Sequence, residues 1–159
     1  MRAAVLGFFG RIWSRLLHLY FGLTRGLTLG VRAVVFSSDG KVLLVRHTYT
    51  PGWHFPGGGV EVNETVEGAL AKELQQETGL LLVGKPRFHG IYLNSAVGSR
   101  DHILTYLCEA EGRLPILMPS SEIADLGYFS LDELPKDIEK GTARRLEEIT
   151  NGLESSKYW

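Results

Sequence analysis

The stretch GGVEVNETVEGALAKELQQETGL, Gly58 to Leu80, decides how this chain is read. Its second half has helical spacing. Val66, Leu70 and Leu74 fall at i, i+4 and i+8, with Ala69 beside them, and make one apolar stripe. The pattern predicts a helix over roughly Glu64 to Glu77, closed by Gly79 as its C-terminal cap. Glu73 and Glu77 stand four residues apart, so their carboxylates leave one face, at the border between the stripe and solvent. Like charges at that spacing oppose a helix by about 0.2–0.5 kcal/mol. A cation between them removes the repulsion. Hard oxygen ligands suit Mg2+ or Mn2+, which keep several waters and bind phosphate oxygens as well. A solvated acidic helix face is the other reading, and two glutamates alone do not exclude it. Just upstream, Thr50 to Gly59 (TPGWHFPGGG) is dense in Gly and Pro. Such a loop is costly to order, which implies a conformational or ligand-binding task.

The complete spacing narrows the choice. Gly58 is followed by five residues, Glu64, seven residues, then Lys72-Glu73-Leu74-Gln75-Gln76-Glu77-Thr78-Gly79-Leu80. This resembles the Nudix box, G-x(5)-E-x(7)-R-E-U-x-E-E-x-G-U, where U is a bulky aliphatic. Seven of the nine fixed positions match: Gly58, Glu64, Glu73, Leu74, Glu77, Gly79 and Leu80. The lead-in Trp53-His54-Phe55-Pro56-Gly57 and the later Glu122-Ile123 and Gly127 to Pro135 also look like the family, and the resemblance spans residues 29–150.

The resemblance implies an α/β fold, a Nudix-type α/β/α sandwich around a mixed β-sheet. It implies Mg2+-dependent hydrolysis, with Mn2+ as substitute, of the pyrophosphate bond in a nucleoside diphosphate linked to another moiety. Divalent metal neutralises the anionic diphosphate and acidifies a bound water, and a carboxylate takes the proton. By similarity Glu73 and Glu77 are metal ligands, joined by a backbone carbonyl at Gly57 or Gly58. Gly57, Gly58, Glu64 and Arg46 are the candidates for contact with substrate, and Glu64 could instead support the loop or reach a second metal. Glu122 is either a further ligand, a base, or an exposed loop acid. Lys72 and Gly79 support the box.

Two positions depart from the pattern. Lys72 replaces Arg, keeping the charge but losing the planar fork that holds a carboxylate with two hydrogen bonds. Gln76 replaces Glu; its amide oxygen can coordinate a cation but brings no charge, so weaker metal binding or fewer metals is expected. The alternative function is therefore a catalytically weakened module that binds nucleotides, or sits at a membrane surface, without turnover.

The whole chain sets the frame. Its 159 residues suit one domain, and 44% apolar with 22% charged residues is ordinary for a folded domain. A net charge of −1 gives no support for a nucleic-acid partner. The single cysteine, Cys108, lies in an alternating apolar stretch and reads as a small buried hydrophobe in a reducing, cytoplasmic setting. The charge is uneven, however. The first acid is Asp39, and before it stand Arg2, Arg11, Arg15, Arg25 and Arg32. Residues 1–26 are expected to form a basic amphipathic helix ahead of a domain at residues 27–159, with Ile12, Leu16, Leu19 and Leu23 on one side and Arg11, Arg15 and His18 on the other. The apolar run is too short to span a bilayer, which needs about 20 residues. The segment packs on its own domain or on a second copy, lies on an anionic membrane, or forms a disordered leader. On the membrane reading, deleting residues 1–24 abolishes sedimentation with anionic vesicles. A monomer and a homodimer are both open.

Along the rest of the chain, Thr28 to Phe36 and Lys41 to Arg46 read as a hairpin around Asp39-Gly40. Leu80–Val83, Arg87–Asn94, Ile103–Ala110 and Gly127–Phe129 read as strands, Leu131–Lys140 as a turn with a short helix, and Thr142–Asn151 as the last helix, closed by Gly152. His47 and His54 flank the loop and could touch phosphate, although packed or solvated histidines are commoner. Arg32 shares with Arg46 the choice between an anionic substrate and plain exposure. Trp53 is expected beneath the loop, Tyr92 and Tyr106 on sheet faces, and the loop Ser95 to Arg100 has no assigned role.

Overall fold

The computed structural model describes residues 26–95, 100–116 and 122–159. Within them the chain forms β1 (Thr28–Val35), β2 (Val42–His47), β3 (Trp53–His54), α1 (Val66–Thr78), β4 (Leu81–Leu93), β5 (Asp101–Glu111), β6 (Ile123–Phe129) and α2 (Lys140–Asn151). The amphipathic helix expected before residue 26, and residues 96–99 of the loop beyond Asn94, lie outside the described residues. No helix among those described is long and apolar enough to cross a membrane.

The strands make two three-stranded sheets, in the orders β1-β5-β4 and β3-β2-β6. The first is mixed: β1 runs parallel to β5, and β4 antiparallel to it. The second is antiparallel. Alternation along each strand feeds two cores. Val31, Ala33 and Val35 of β1, with Leu43 of β2, face Ala69, Leu70 and Leu74 of α1. Val34 of β1, with Val42 and Leu44 of β2, packs with Trp53, Phe55 and Leu146 of α2. One helix therefore covers each side of the strand layer, the sandwich that the box predicts.

Local signals explain α1. The Thr65 side chain accepts the Gly68 N–H, and Gly79, at φ 69°, closes the helix with its N–H on the Gln75 carbonyl. The Asp39-Gly40 turn forms, but its flanking strands separate after a single bridge, Phe36 to Val42, and join different sheets. β1 pairs instead with distant β5. The two strands expected around Gly84 are one strand, β4, whose register slips between Val83 and Arg87. No helix forms between Leu131 and Glu139; the chain turns there, and Ile138 bridges Trp53.

The C-terminal residues strap α2 to β4. The Leu93 N–H donates to the Lys157 carbonyl and the Trp159 N–H to the Leu93 carbonyl. Beneath them Arg145, fully buried, makes two hydrogen bonds to Glu148, stacks on Tyr92 at 4.1 Å and donates to the Tyr158 carbonyl. Cys108 is buried, and burial pushes its thiol up to about 12, an inert small side chain.

Candidate active site

The glycine loop is bound to the free edge of β1. Ala33 N–H donates to the Pro56 carbonyl, Val31 N–H to the Gly58 carbonyl, and Val60 N–H to the Leu29 carbonyl, all at 2.8–2.9 Å. The approach is so close that a Cβ on Gly57, at φ 147°, would sit 2.0 Å from the Val31 carbonyl oxygen. Only glycine fits there.

Helix α1 delivers its two acids onto this loop. The Gly57 N–H donates to Glu77 Oε2 at 2.8 Å. A Cβ on Gly58 would lie 2.5 Å from Glu73 Oε2, so the Glu73 carboxylate fills the space that the missing side chain leaves. Glu77 is only 7% exposed. Burial pushes its carboxyl up to about 7; the Gly57 N–H and Arg32 pull it back, and Glu73 and Glu122 push it further. His47 Nε2 lies 3.3 Å from Glu77 Oε1. Burial, then His54 and Arg32, hold the His47 imidazole below the usual histidine range.

Around this pair the other candidates take distinct places. Lys72 Nζ donates to Glu64 Oε2 at 3.1 Å and reaches Glu73 Oε1 at 3.4 Å, so one lysine holds both acids. Glu64 also accepts the Glu61 N–H, and that bond, with Lys72, holds it below the usual glutamate range. Glu122 is exposed; its Oε1 accepts the Tyr49 hydroxyl at 2.8 Å, and its charge is among those that raise Glu77. Gln76 is exposed on α1, three residues on from Glu73. Arg46 stands apart, exposed and 3.3 Å from Asp137.

A cleft of about 320 Å3 opens beside the loop, lined by Gly57, Gly58, Arg32, His47, Tyr49 and His54, with Thr28, Asn94 and Asp101 also on its wall. Arg32 and His47, each left open by the sequence between contact with an anion and an ordinary packed or exposed side chain, both line this cleft. His47 reaches Glu77 only through tertiary packing.

The donor set can be tested for a cation. Among the described residues no three His, Cys, Asp or Glu side chains converge as a complete metal cage. Mg2+ does not ask for one: it is held by one or two carboxylates, with waters and substrate phosphates completing its shell. Two carboxylates against a glycine bend, one of them destabilised as an anion chiefly by burial, fit that requirement.

Fold and motif together define an enzyme class, hydrolases of phosphate anhydrides. A model of the NUDIX domain matches residues 26–149. A MutT-like protein of Streptomyces ambofaciens is 30% identical over 125 residues, 79% of this chain and 78% of that protein. An ADP-ribose pyrophosphatase of Methanocaldococcus jannaschii is 30% identical over 105 residues, 64% of this chain and 62% of its own length. The crystal structure of an ADP-ribose pyrophosphatase from Streptococcus suis superposes with a TM-score of 0.65 at 29% identity, over 84% of this chain and 97% of that one. The chain belongs to the Nudix family of pyrophosphohydrolases.

Proposed function

We propose that this chain hydrolyses the pyrophosphate bond of a nucleoside diphosphate linked to another moiety, with Mg2+ or Mn2+. The convergence of Glu73 and Glu77 on the Gly57–Gly58 bend carries the reading. Glu73 and Glu77 would hold the cation. The Gly58 carbonyl already accepts from Val31, so the Gly57 carbonyl is the backbone oxygen better free to join them. The bound cation neutralises the diphosphate and acidifies a water.

The remaining work falls to the chain's own groups. Lys72 fixes Glu73 and Glu64 relative to each other, so its charge does the positioning that Arg does in the family pattern. Tyr49 holds Oε1 of Glu122, leaving Oε2 to accept the proton of the attacking water. As water oxygen bonds to one phosphorus, the bridging P–O bond breaks and the second phosphate leaves. Because two relatives bear the name ADP-ribose pyrophosphatase, ADP-ribose is the first substrate to test. We assign catalysis to residues 27–159, in a cytoplasmic setting.

The test is a phosphate-release screen over ADP-ribose, nucleotide sugars, dinucleoside polyphosphates and nucleoside triphosphates, with Mg2+ and Mn2+. Turnover that chelation abolishes is expected. No turnover of any compound at high enzyme concentration would overturn the assignment.

A further inference from the structure

A second cavity, which shares no lining residue with the catalytic cleft, lies between β4 and the C-terminal strap. It measures about 510 Å3, inside the range of about 300 to 1,000 Å3 that ligand pockets occupy. Phe88, Ile91 and Leu93 form its apolar wall, and His89, His102 and Lys157 bring nitrogen donors. Among the described residues no carboxylate lines it, although acids outnumber Lys and Arg in the chain by 18 to 17. The sequence explains this: no Asp or Glu occurs between Glu77 and Asp101. The strap wall is fixed in place. The Ser156 N–H donates to Glu148 Oε1, and the Lys157 carbonyl accepts the Leu93 N–H.

The donors here are under-used. Lys157 makes no ion pair among the described residues. His102 engages only Nδ1, on the Arg100 carbonyl at 3.4 Å. His89 Nε2 is buried without a hydrogen-bond partner, 3.7 Å from Glu148 Oε2. Burial holds the His89 imidazole below the usual histidine range, Arg145 and Arg87 add to the effect, and Glu148 opposes it. An anion nearby favours the protonated ring, in which both nitrogens donate and the buried Nε2 is satisfied by Glu148.

The apolar wall is open as well. Phe88 is 51% exposed and Ile91 50%. The Phe88 ring stands edge-on to Tyr106, with centroids 5.4 Å apart, which holds it in place and leaves a face for stacking. Another strand is not the natural occupant of this edge. Pro86 has no N–H to offer, and the register of β4 slips between Val83 and Arg87 and again between Phe88 and Gly90. One lysine and two histidines suit a dianion, and a phosphate monoester carries a charge of about −1.5 to −2 with three acceptor oxygens.

We propose that this pocket is a second ligand site, for a small phosphate monoester with an aromatic body, its phosphate on Lys157, His102 and His89 and its ring on Phe88 and Ile91. The site stands whether or not the hydrolase reading does.

The experiment follows the imidazole 1H–15N signals of the metal-free full chain during titration with phenyl phosphate, inorganic phosphate and phenol. The histidines report on different sites, because His47 and His54 line the catalytic cleft and His89 and His102 line this pocket. Phenyl phosphate should shift the signals of His89 and His102, assigned with His89→Gln and His102→Gln, and should bind about tenfold more tightly than inorganic phosphate. Lys157→Ala should weaken phenyl phosphate by about tenfold, and Phe88→Ala should reduce it to the affinity of inorganic phosphate. Shifts confined to His47 and His54, or no shift at millimolar ligand, overturn the proposal. So does phenol binding as tightly as phenyl phosphate, or unchanged affinity in both Lys157→Ala and Phe88→Ala. Should His89→Gln fail to fold, the His102 signal carries the same test.

Discussion

Glu77 concentrates the chemistry of the site. Its ordinary value is 4.5, and burial first of all raises it to about 7. Below pH 4.5 the carboxyl is neutral in both the folded and unfolded chain. As pH rises from 4.5 towards 7, the unfolded chain loses its proton while the folded chain keeps it. The contribution from the neutral carboxyl is thus fully present below 4.5, falls across that window, and is lost above about 7, a change of about 3 kcal/mol. Melting temperatures of metal-free protein should therefore fall across this range more steeply in wild type than in Glu77→Gln, and Mg2+ should stabilise wild type at pH 7. Identical pH slopes in the two proteins would contradict the burial argument. Glu73→Gln and Glu77→Gln should each lower kcat/KM by on the order of 100-fold or more, since several kcal/mol of charge stabilisation are lost. At the departing box position, Gln76→Glu should tighten Mg2+ binding. Unchanged affinity in a titration would place Gln76 outside the metal's surroundings.

At the level of elements, the glycine loop and α1 act as one device, and two neighbouring substitutions separate stability from catalysis. In Gly57→Ala the new Cβ meets the Val31 backbone oxygen, which cannot yield without breaking the loop from β1. The expected loss is roughly 3 kcal/mol or more, read by denaturant unfolding. In Gly58→Ala the Cβ meets only the end of the Glu73 side chain, which can swing away. Stability should change by about 1 kcal/mol or less, while kcat/KM falls by about 100-fold because the carboxylate is displaced. Equal stability losses in the two variants would contradict this division. The sequence made α1 legible because its signals are local: the apolar stripe, Thr65 and Gly79. It placed Glu73 and Glu77 on one face for the same reason. The Asp39-Gly40 turn was legible too, but not the partners of its strands, since β1 pairs with β5 across more than 60 residues of chain. Gly84-Lys85-Pro86 reads as a break because nothing local reveals that β5 carries β4 through a register slip. Arg32 and His47 become site residues only when β1 and β2 are brought to opposite sides of the loop, so their roles could not be read from spacing.

Across the molecule, the site and the stabilising apparatus are separate. The strap of residues 156–159 closes over Arg145 and Glu148 on the α2 side, while the acids hang from α1 on the other. Arg145→Met takes the guanidinium from buried Glu148, which keeps only His89, the Tyr92 hydroxyl and the Ser156 N–H, and should cost about 3 kcal/mol, read by chemical denaturation. At temperatures where the variant stays folded its KM should match wild type. A raised KM with unchanged stability would place Arg145 in substrate binding instead. What joins the two halves is the strand layer, with the glycine loop on the edge of β1 offering backbone groups to α1. The decisive measurement is therefore a crystal structure of the full chain soaked in Mn2+, read by anomalous scattering. The expected result is a peak coordinated by carboxylate oxygens of both Glu73 and Glu77 beside the Gly57–Gly58 bend. Mn2+ bound elsewhere, with those two carboxylates carrying no metal at saturating concentration, would contradict the assignment of this helix and loop as the metal-holding centre of the hydrolase.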